Sequence, residues 1–269
     1  MTQHSNAFIH PDAKIGKDVT INPFSYIAGD VVIGDGTWIG PNVTIMDGAR
    51  IGKNCRIFPG AVISAIPQDL KFKGEITTAE IGDNTTIREC ATVNRGTASR
   101  GKTVVGSNCL LMAYSHIAHD CILKDYIIIG NGTQIAGEVE IDDHAILSAH
   151  VLVHQFERIG VHVMVQGGSK VNKDIPPFII AAREPLTFAG VNLVGLRRRG
   201  FSTQQIGIIQ ELYRNIYNKG MNVSQALAYI EENMEYTPER EMVTSFIKNS
   251  KRGIVGEYTG SNPDEGVEL

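Results

Sequence analysis

The chain has 269 residues, 42% of them apolar, and 25 Lys and Arg against 29 Asp and Glu give a formal net charge of −4. That length can bury a substantial core, and the charge balance argues against nucleic acid or an anionic membrane surface as the main partner. No apolar run nears the ~20 residues that span a bilayer, Met1 to Gly16 lacks the basic-then-apolar pattern of a secretory signal, and the four cysteines (Cys55, Cys90, Cys109, Cys121) include no C-x-x-C pair, so reduced thiols in a cytoplasmic protein are expected.

From Ile9 an aliphatic residue returns at every sixth position: Ile15, Ile21, Ile27 and onward to Ile63, then Ile81, Ile87 and Val93, then unbroken from Val105 to Val171. Of the 28 positions in this phase, 25 are Ile, Leu or Val, and the exceptions are Asp69, Glu75 and Ser99. A period of six fits neither a helix nor an alternating strand, but it does fit a repeat. The expected fold is a parallel β-helix in which each hexad is a short strand plus a turn, three hexads make a coil, and the aliphatic residues stack inward. Dividing 28 by three gives roughly nine coils, and at ~4.8 Å per coil a prism on the order of 45 Å long. Eight residues just after the aliphatic are Gly (Gly16, Gly34, Gly40, Gly52, Gly82, Gly106, Gly130, Gly160), which suits a corner where the backbone turns sharply.

Residues 1 to 63 read as scaffold. The first excursion, SAIPQDLKFKGEITTAE over 64–80, interrupts the repeat, and loops on a rigid scaffold commonly carry function; Gln68, Asp69, Lys71 and Lys73 are candidate substrate contacts. A second excursion, within 94–104, holds NRGTASRGK, whose Arg95, Arg100 and Lys102 are expected to meet a phosphate or solvent.

The following coils hold most of the histidines: His116, His119, His144, His150, His154 and His162. His116 and His119 flank the inward Ile117 and are expected to point outward. Asp120 is placed to orient His119, and an ordinary imidazole pKa near 6.5 suits a general base. Residues eighteen apart lie one above another, so Gly137 is expected about 5 Å from His119, at the interstrand spacing, with Gln155 beyond it. A base beside an unobstructed glycine amide is the arrangement that acyl transfer needs.

The repeat is expected to stop after Val171, where Asp174, Pro176 and Pro177 intervene. The coiled body is therefore assigned to 1–190, a helical domain to 191–256, and an acidic flexible tail to 257–269. Ser202 and Gln205 form a capping box for a helix carrying Ile206, Ile209, Tyr213, Ile216 and Tyr217, closed by Gly220. A second helix carries Leu227, Ile230 and Met234. A third, opened by Thr237 and Pro238, carries Met242, Val243, Phe246 and Ile247. The run Arg197, Arg198, Arg199 before them fits a phosphate, the acidic surface of a carrier protein, or solvent.

The segments PQDLKFKGE, NRGT, HIAHDC, the IAG ending at Gly137, VHQF and GVNLVGLRRRGFS resemble, in order and spacing, the UDP-N-acetylglucosamine O-acyltransferases that open lipid A biosynthesis; the likeness runs from Ile9 to about Gly253. It implies a left-handed β-helix, a homotrimer with the cleft between adjacent subunits, and transfer of a long 3-hydroxyacyl group from acyl carrier protein to UDP-N-acetylglucosamine without metal or redox cofactor. By the same resemblance His119 is the base, Asp120 orients it and the Gly137 N–H receives the oxyanion. Gln68, Asp69, Lys71 and His116 position the sugar nucleotide, and His154 and Gln155 line the cleft. Asn192, Arg198 and Arg199 contact phosphates and the pantetheine arm, and Gly167, with Met164, limits acyl-chain length.

Four positions depart from the family pattern: Glu138 and Asn94 stand where histidines are common, Val194 replaces a glutamate, and a histidine is missing around Pro185. An acceptor with nitrogen at its 3-position is accordingly an alternative. A rival of another class, the trimeric zinc β-helix carbonic anhydrase, uses a ligand pair five residues apart; here the close pairs, His116 with His119 and His150 with His154, are three and four apart. A non-catalytic scaffold leaves the gathering of histidines in the second half without a reason.

Overall fold

The structure is a computed structural model that describes residues 2–3, 6–217 and 220–257. Its hexads form three walls of parallel strands, ordered so that each strand pairs with the third strand after it. Wall 1 contains Ile21, Ile39, Ile57, Ile87, Leu111, Ile129, Leu147 and Val165. Wall 2 contains Ile9, Ile27, Ile45, Ile63, Val93, Ile117, Ile135, Val153 and Val171. Wall 3 contains Ile15, Ile33, Ile51, Ile81, Val105, Leu123, Ile141 and Ile159. Nine strands in wall 2 correspond to nine coils.

The excursions preserve the count. Ile63 pairs with Val93, thirty residues on, and Val93 pairs with Ile117, twenty-four on; relative to eighteen, the insertions are twelve and six. Both are multiples of six, so the phase survives, and the skipped positions are Asp69, Glu75 and Ser99. The loops themselves are shorter than their sequence limits, 66–77 and 95–101, because the strands on either side lengthen to Val62–Ala65, Thr78–Ile81 and Lys102–Val105.

One expectation about the hexad changes. The residue directly after the aliphatic is not where the chain turns left-handed. That residue is the third one on, as at Asp18, Asn42, Asn54, Asp120 and His144 (φ +53° to +62°). The glycines directly after the aliphatic are required by close approach: a Cβ on Gly34, Gly82 or Gly130 would lie 2.4 to 2.6 Å from backbone of the next coil. A second inward row also exists, two residues before each aliphatic. It mixes small or hydroxylated residues with valines, and Thr37, Cys55, Thr85, Cys109, Cys121 and Thr133 in it are all buried. Their hydroxyls and thiols bond corner carbonyls, as Thr37 does to Gly52 (2.9 Å) and Cys121 to Ala136 (3.1 Å), which satisfies polar groups at the edge of an apolar core. All four cysteines are free.

The prism also runs one partial coil past Val171. Ile175 bridges Ile159, and Ala181 in Ile179–Ala182 pairs with Val165. Pro176 and Pro177 fall on this last corner, where no further coil needs their missing N–H groups. Thr187–Val191 then folds back antiparallel on that strand.

Four helices follow: α1 (Leu193–Arg198), α2 (Thr203–Tyr217), α3 (Val223–Asn233) and α4 (Pro238–Lys248). The Ser202–Gln205 box is present, with both bonds made. A second box, Asn222 with Gln225, opens α3, and Met234 is its C-cap rather than a turn within it. Met242 lies on the exposed side of α4 while Val243, Phe246 and Ile247 are buried. Arg197 and Arg198 end α1 and Arg199 is its C-cap; the sequence reading missed this helix because six residues are too short for periodicity to register. Of the tail at 257–269, all but Glu257 lies outside the described residues.

Candidate active site

The corner between walls 2 and 3 follows directly from the hexad. Ile117 points inward, His119 is two residues on, and Asp120 takes the left-handed position (φ +60°). Asx side chains tolerate that conformation. Pairing of Ile117 with Ile135 and Ile135 with Val153 places His119, Gly137 and Gln155 in one column. The imidazole rises into the space a glycine leaves: a Cβ on Gly137 would lie 2.6 Å from both Cε1 and Nε2 of His119. His119 is 8% exposed, so a partly desolvated ring sits beside an amide.

That amide is open. At three positions that are equivalent within the hexad but lie on the corner between walls 3 and 1, the carboxylate eighteen residues later takes the N–H, as Asp35 does from Lys17, Asp125 from Ser107 and Asp143 from Asp125, at 2.7 to 2.8 Å. Eighteen after Gly137 stands Gln155, and the Gly137 N–H donates to no acceptor among the described residues.

Asp120 is fully buried, and its carboxylate accepts four hydrogen bonds. Thr97 N–H (3.0 Å) and Arg100 N–H (3.1 Å) donate to Oδ1, the Thr97 hydroxyl (2.6 Å) donates to Oδ2, and His119 Nδ1 lies 2.8 Å from Oδ2. Burial pushes this carboxyl up, but the bonds from Thr97, His119 and Arg100 outweigh burial and hold it below the usual carboxylate range. An ionised Asp120 can only accept, so its bond with Nδ1 requires the proton there, the tautomer in which the Nε2 beside Gly137 carries a lone pair. Thr97 and Arg100 belong to the 95–101 excursion. Its backbone and Thr97 therefore turn inward to the carboxylate, whereas a phosphate or solvent was expected to meet its side chains. The Arg100 guanidinium pairs with Glu140 (2.7 Å) and approaches Glu138 (4.0 Å).

His116 lies on the wall 2 strand of the same coil, half-buried, with Nδ1 2.7 Å from the Thr92 hydroxyl. Burial and the neighbouring His119 hold its pKa below the usual value. His154 and Gln155 are exposed at the top of the column, with His154 Nδ1 3.0 Å from the Gln155 carbonyl. Gln68 and Lys71 have exposed side chains on the 66–77 loop, where Asp69 accepts from the Lys71 N–H (2.9 Å). That loop leaves wall 2 two strands before His119, about 10 Å along the axis.

Asn192 is 9% exposed and committed within the chain: Oδ1 caps α1 at Gly195 N–H, and the amide donates to the His162 carbonyl. Arg198 and Arg199 are exposed at the end of α1. Met164 is on wall 1, and Gly167 on the corner between walls 1 and 2, away from His119 within one chain. The structure thus gathers His119, Asp120, Gly137 and Gln155, with His116 and His154 nearby. It leaves Lys71, Arg198 and Gly167 separated along the prism. Thr97 and Thr103, whose hydroxyl accepts from the Asp120 N–H (2.8 Å), were missed, and Arg100 was singled out for its side chain rather than for the backbone N–H that meets Asp120. The only sequence signal for them was a polar interruption one coil before the histidine.

Among the described residues no helix is long and apolar enough to cross a membrane. The model of the bacterial transferase hexapeptide repeat matches residues 12–37, 30–65 and 102–137, and the model described as UDP-N-acetylglucosamine O-acyltransferase, domain 2, matches 174–255. An acyl-[acyl-carrier-protein]--UDP-N-acetylglucosamine O-acyltransferase of Ectopseudomonas mendocina is 42% identical over 187 residues, 69% of this chain and 72% of that one. The solved UDP-N-acetylglucosamine acyltransferase of Bacteroides fragilis superposes with TM-score 0.92 at 56% identity, over 94% of this chain and 99% of its own. That of Francisella novicida gives TM-score 0.93 at 42% identity, over 96% and 95%.

Proposed function

Because the chain belongs to the UDP-N-acetylglucosamine O-acyltransferase family, we infer that it moves a long-chain (R)-3-hydroxyacyl group from acyl carrier protein to the 3-hydroxyl of UDP-N-acetylglucosamine. This is the first step of lipid A biosynthesis, carried out in the cytoplasm. The observation that supports the mechanism is the His119 ring, with Nδ1 2.8 Å from Asp120 Oδ2 and its other edge seated beside the Gly137 amide.

His119 Nε2 takes the proton of the acceptor hydroxyl as its oxygen attacks the thioester carbonyl. The carbonyl oxygen becomes an oxyanion that accepts from the Gly137 N–H. As the tetrahedral intermediate collapses, the C–S bond breaks, and His119 returns its proton to the departing thiolate of the carrier's pantetheine arm. The imidazolium formed midway is stabilised by Asp120.

His116, His154, Gln155, Gln68, Asp69, Lys71, Asn192, Arg198 and Arg199 hold the sugar nucleotide and the carrier arm in this reading. Their separation along one chain is the reason for a homotrimer, in which a neighbouring subunit completes the cleft. Fully exposed Leu70 and Ile76 on the 66–77 loop support it, since side chains of that size commonly mark an interface. For the acyl chain, the outward side chains of wall 1 form an apolar stripe of Leu110, Ile128, Ile146, Met164 and Ile180, ending beside the Gly167 corner. His119→Ala tests the base: turnover falls by roughly 10²- to 10⁴-fold with the melting temperature retained, and acyl transfer at near-wild-type rate rejects the assignment.

A further inference from the structure

We infer that the 95–101 excursion is a positioning clamp for the His119–Asp120 pair, with Thr97 its principal residue. The inference rests on the reading of His119 as general base, and it concerns residues that act through Asp120.

Thr97 supplies two of the four donors on Asp120, one to each oxygen: N–H to Oδ1 at 3.0 Å and O–H to Oδ2 at 2.6 Å. Arg100 N–H adds the third. The fourth is His119, which shares Oδ2 with the Thr97 hydroxyl. With every acceptor direction taken, the carboxylate plane cannot rotate, and the imidazole bonded to it keeps its orientation toward Gly137.

The clamp is itself rigid. At its base Arg95 N–H donates to the Ala65 carbonyl (3.0 Å), Gly96 N–H to Thr78 (3.1 Å), and the Thr77 hydroxyl to Gly96 (2.6 Å). A Cβ on Gly96 would lie 2.3 Å from Lys102 N, so the turn closes too tightly for a side chain there. Within the loop Gly101 N–H donates to the Thr97 carbonyl (2.8 Å) and Ser99 N–H to the Thr97 hydroxyl oxygen (3.1 Å), which aims that hydroxyl's own proton at Asp120. The Arg100 side chain ties the far end of the loop to Glu140 on wall 3. A surface loop built for its exposed side chains would not place its backbone donors on a buried carboxylate one coil away.

The chemical consequence has a sign. The Thr97 hydroxyl competes with His119 for Oδ2, so it weakens the carboxylate's hold on the imidazolium. Without it, the coupled pair binds its proton more tightly. The acidic limb of kcat/KM, where the base becomes protonated, then moves to higher pH.

Thr97→Val, which is nearly isosteric, is compared with Thr97→Ser and wild type, with KM for the sugar nucleotide and the acyl carrier measured separately. We expect kcat to fall on the order of tenfold in Thr97→Val, as loss of orientation does. Both KM values stay unchanged, the acidic limb shifts upward, and Thr97→Ser restores both rate and limb. Thr97→Ala is carried in parallel in case valine distorts the loop. An unmoved limb in any folded variant lacking the hydroxyl overturns the clamp, as does a loss of rate matched by no pH shift and explained by a lowered melting temperature. His119→Ala separates the two levels: if it alone abolishes turnover while the Thr97 variants behave as wild type, the clamp fails and the base stands.

Discussion

The imidazole of His119 fills the space that a side chain on Gly137 would need, with Cε1 and Nε2 each 2.6 Å from where a Cβ would sit. Gly137→Ala therefore displaces the ring or the corner. Turnover should fall by roughly 10²-fold, the cost of misplacing a reacting group by about 1 Å. Overpacking also lowers stability by about 1–3 kcal/mol. Steady-state kinetics with parallel thermal melts checks both, and wild-type kinetics would show that the column has no catalytic meaning.

Lys71 stands exposed on the 66–77 loop, with its backbone but not its ammonium committed to Asp69. Lys71→Ala should raise the KM for the sugar nucleotide about tenfold or more, the loss of a charge-assisted contact of ~1.5–3 kcal/mol, and leave kcat nearly unchanged. Unaltered acceptor affinity removes this lysine from the site.

A Cβ at Gly167 would meet the Ala149 carbonyl oxygen at 3.1 Å and the Ser148 Cβ at 3.7 Å, a position that accepts a side chain with small adjustment. Gly167→Met should fold and should shift donor preference toward shorter acyl chains. Turnover across a panel of acyl carriers reads this directly, and an unchanged chain-length profile rejects the role.

Glu157 occupies the small inward row, with 0% exposure, where its neighbours are Val151 and Val163. Burial pushes its carboxyl up to about 7, with Asp174 adding to the shift and Arg252 (2.8 Å) opposing it. A carboxyl raised above its unfolded value binds its proton more tightly when folded. Its contribution is complete below the unfolded pKa and is lost as pH rises toward 7. Glu157→Gln should remove that slope. Relative to wild type, the variant should gain stability between pH 5 and pH 8, by roughly 1–3 kcal/mol; chemical melts at the two pH values give the answer, and parallel curves would place the titration elsewhere.

Much of the architecture was readable from one rule, an aliphatic residue every six. The rule survived the excursions because the insertions, twelve and six residues, keep the phase. For the same reason Asp69, Glu75 and Ser99 counted as failed rungs although they lie in no wall. The second inward row, where Thr, Ser, Ala and Cys stand among valines, was harder to see. Small polar residues do not announce burial, and here they are buried only because corner carbonyls lie within reach of their hydroxyls and thiols. The extra partial coil at Ile175 was hidden by two prolines that read as a stop.

What the sequence determined on its own was the column. Strict register at eighteen puts His119, Gly137 and Gln155 in line, since a parallel ladder leaves no freedom to slip without turning the aliphatic face outward. What only the tertiary structure decided was what holds the Asp120 carboxylate beside His119. Thr97 and Arg100, twenty-three and twenty residues before Asp120, reach its carboxylate through a loop whose path no periodicity specifies. Periodic patterns encode which residues stack, but a buried carboxylate draws its donors from wherever the chain happens to pass, and that is known only once it has folded.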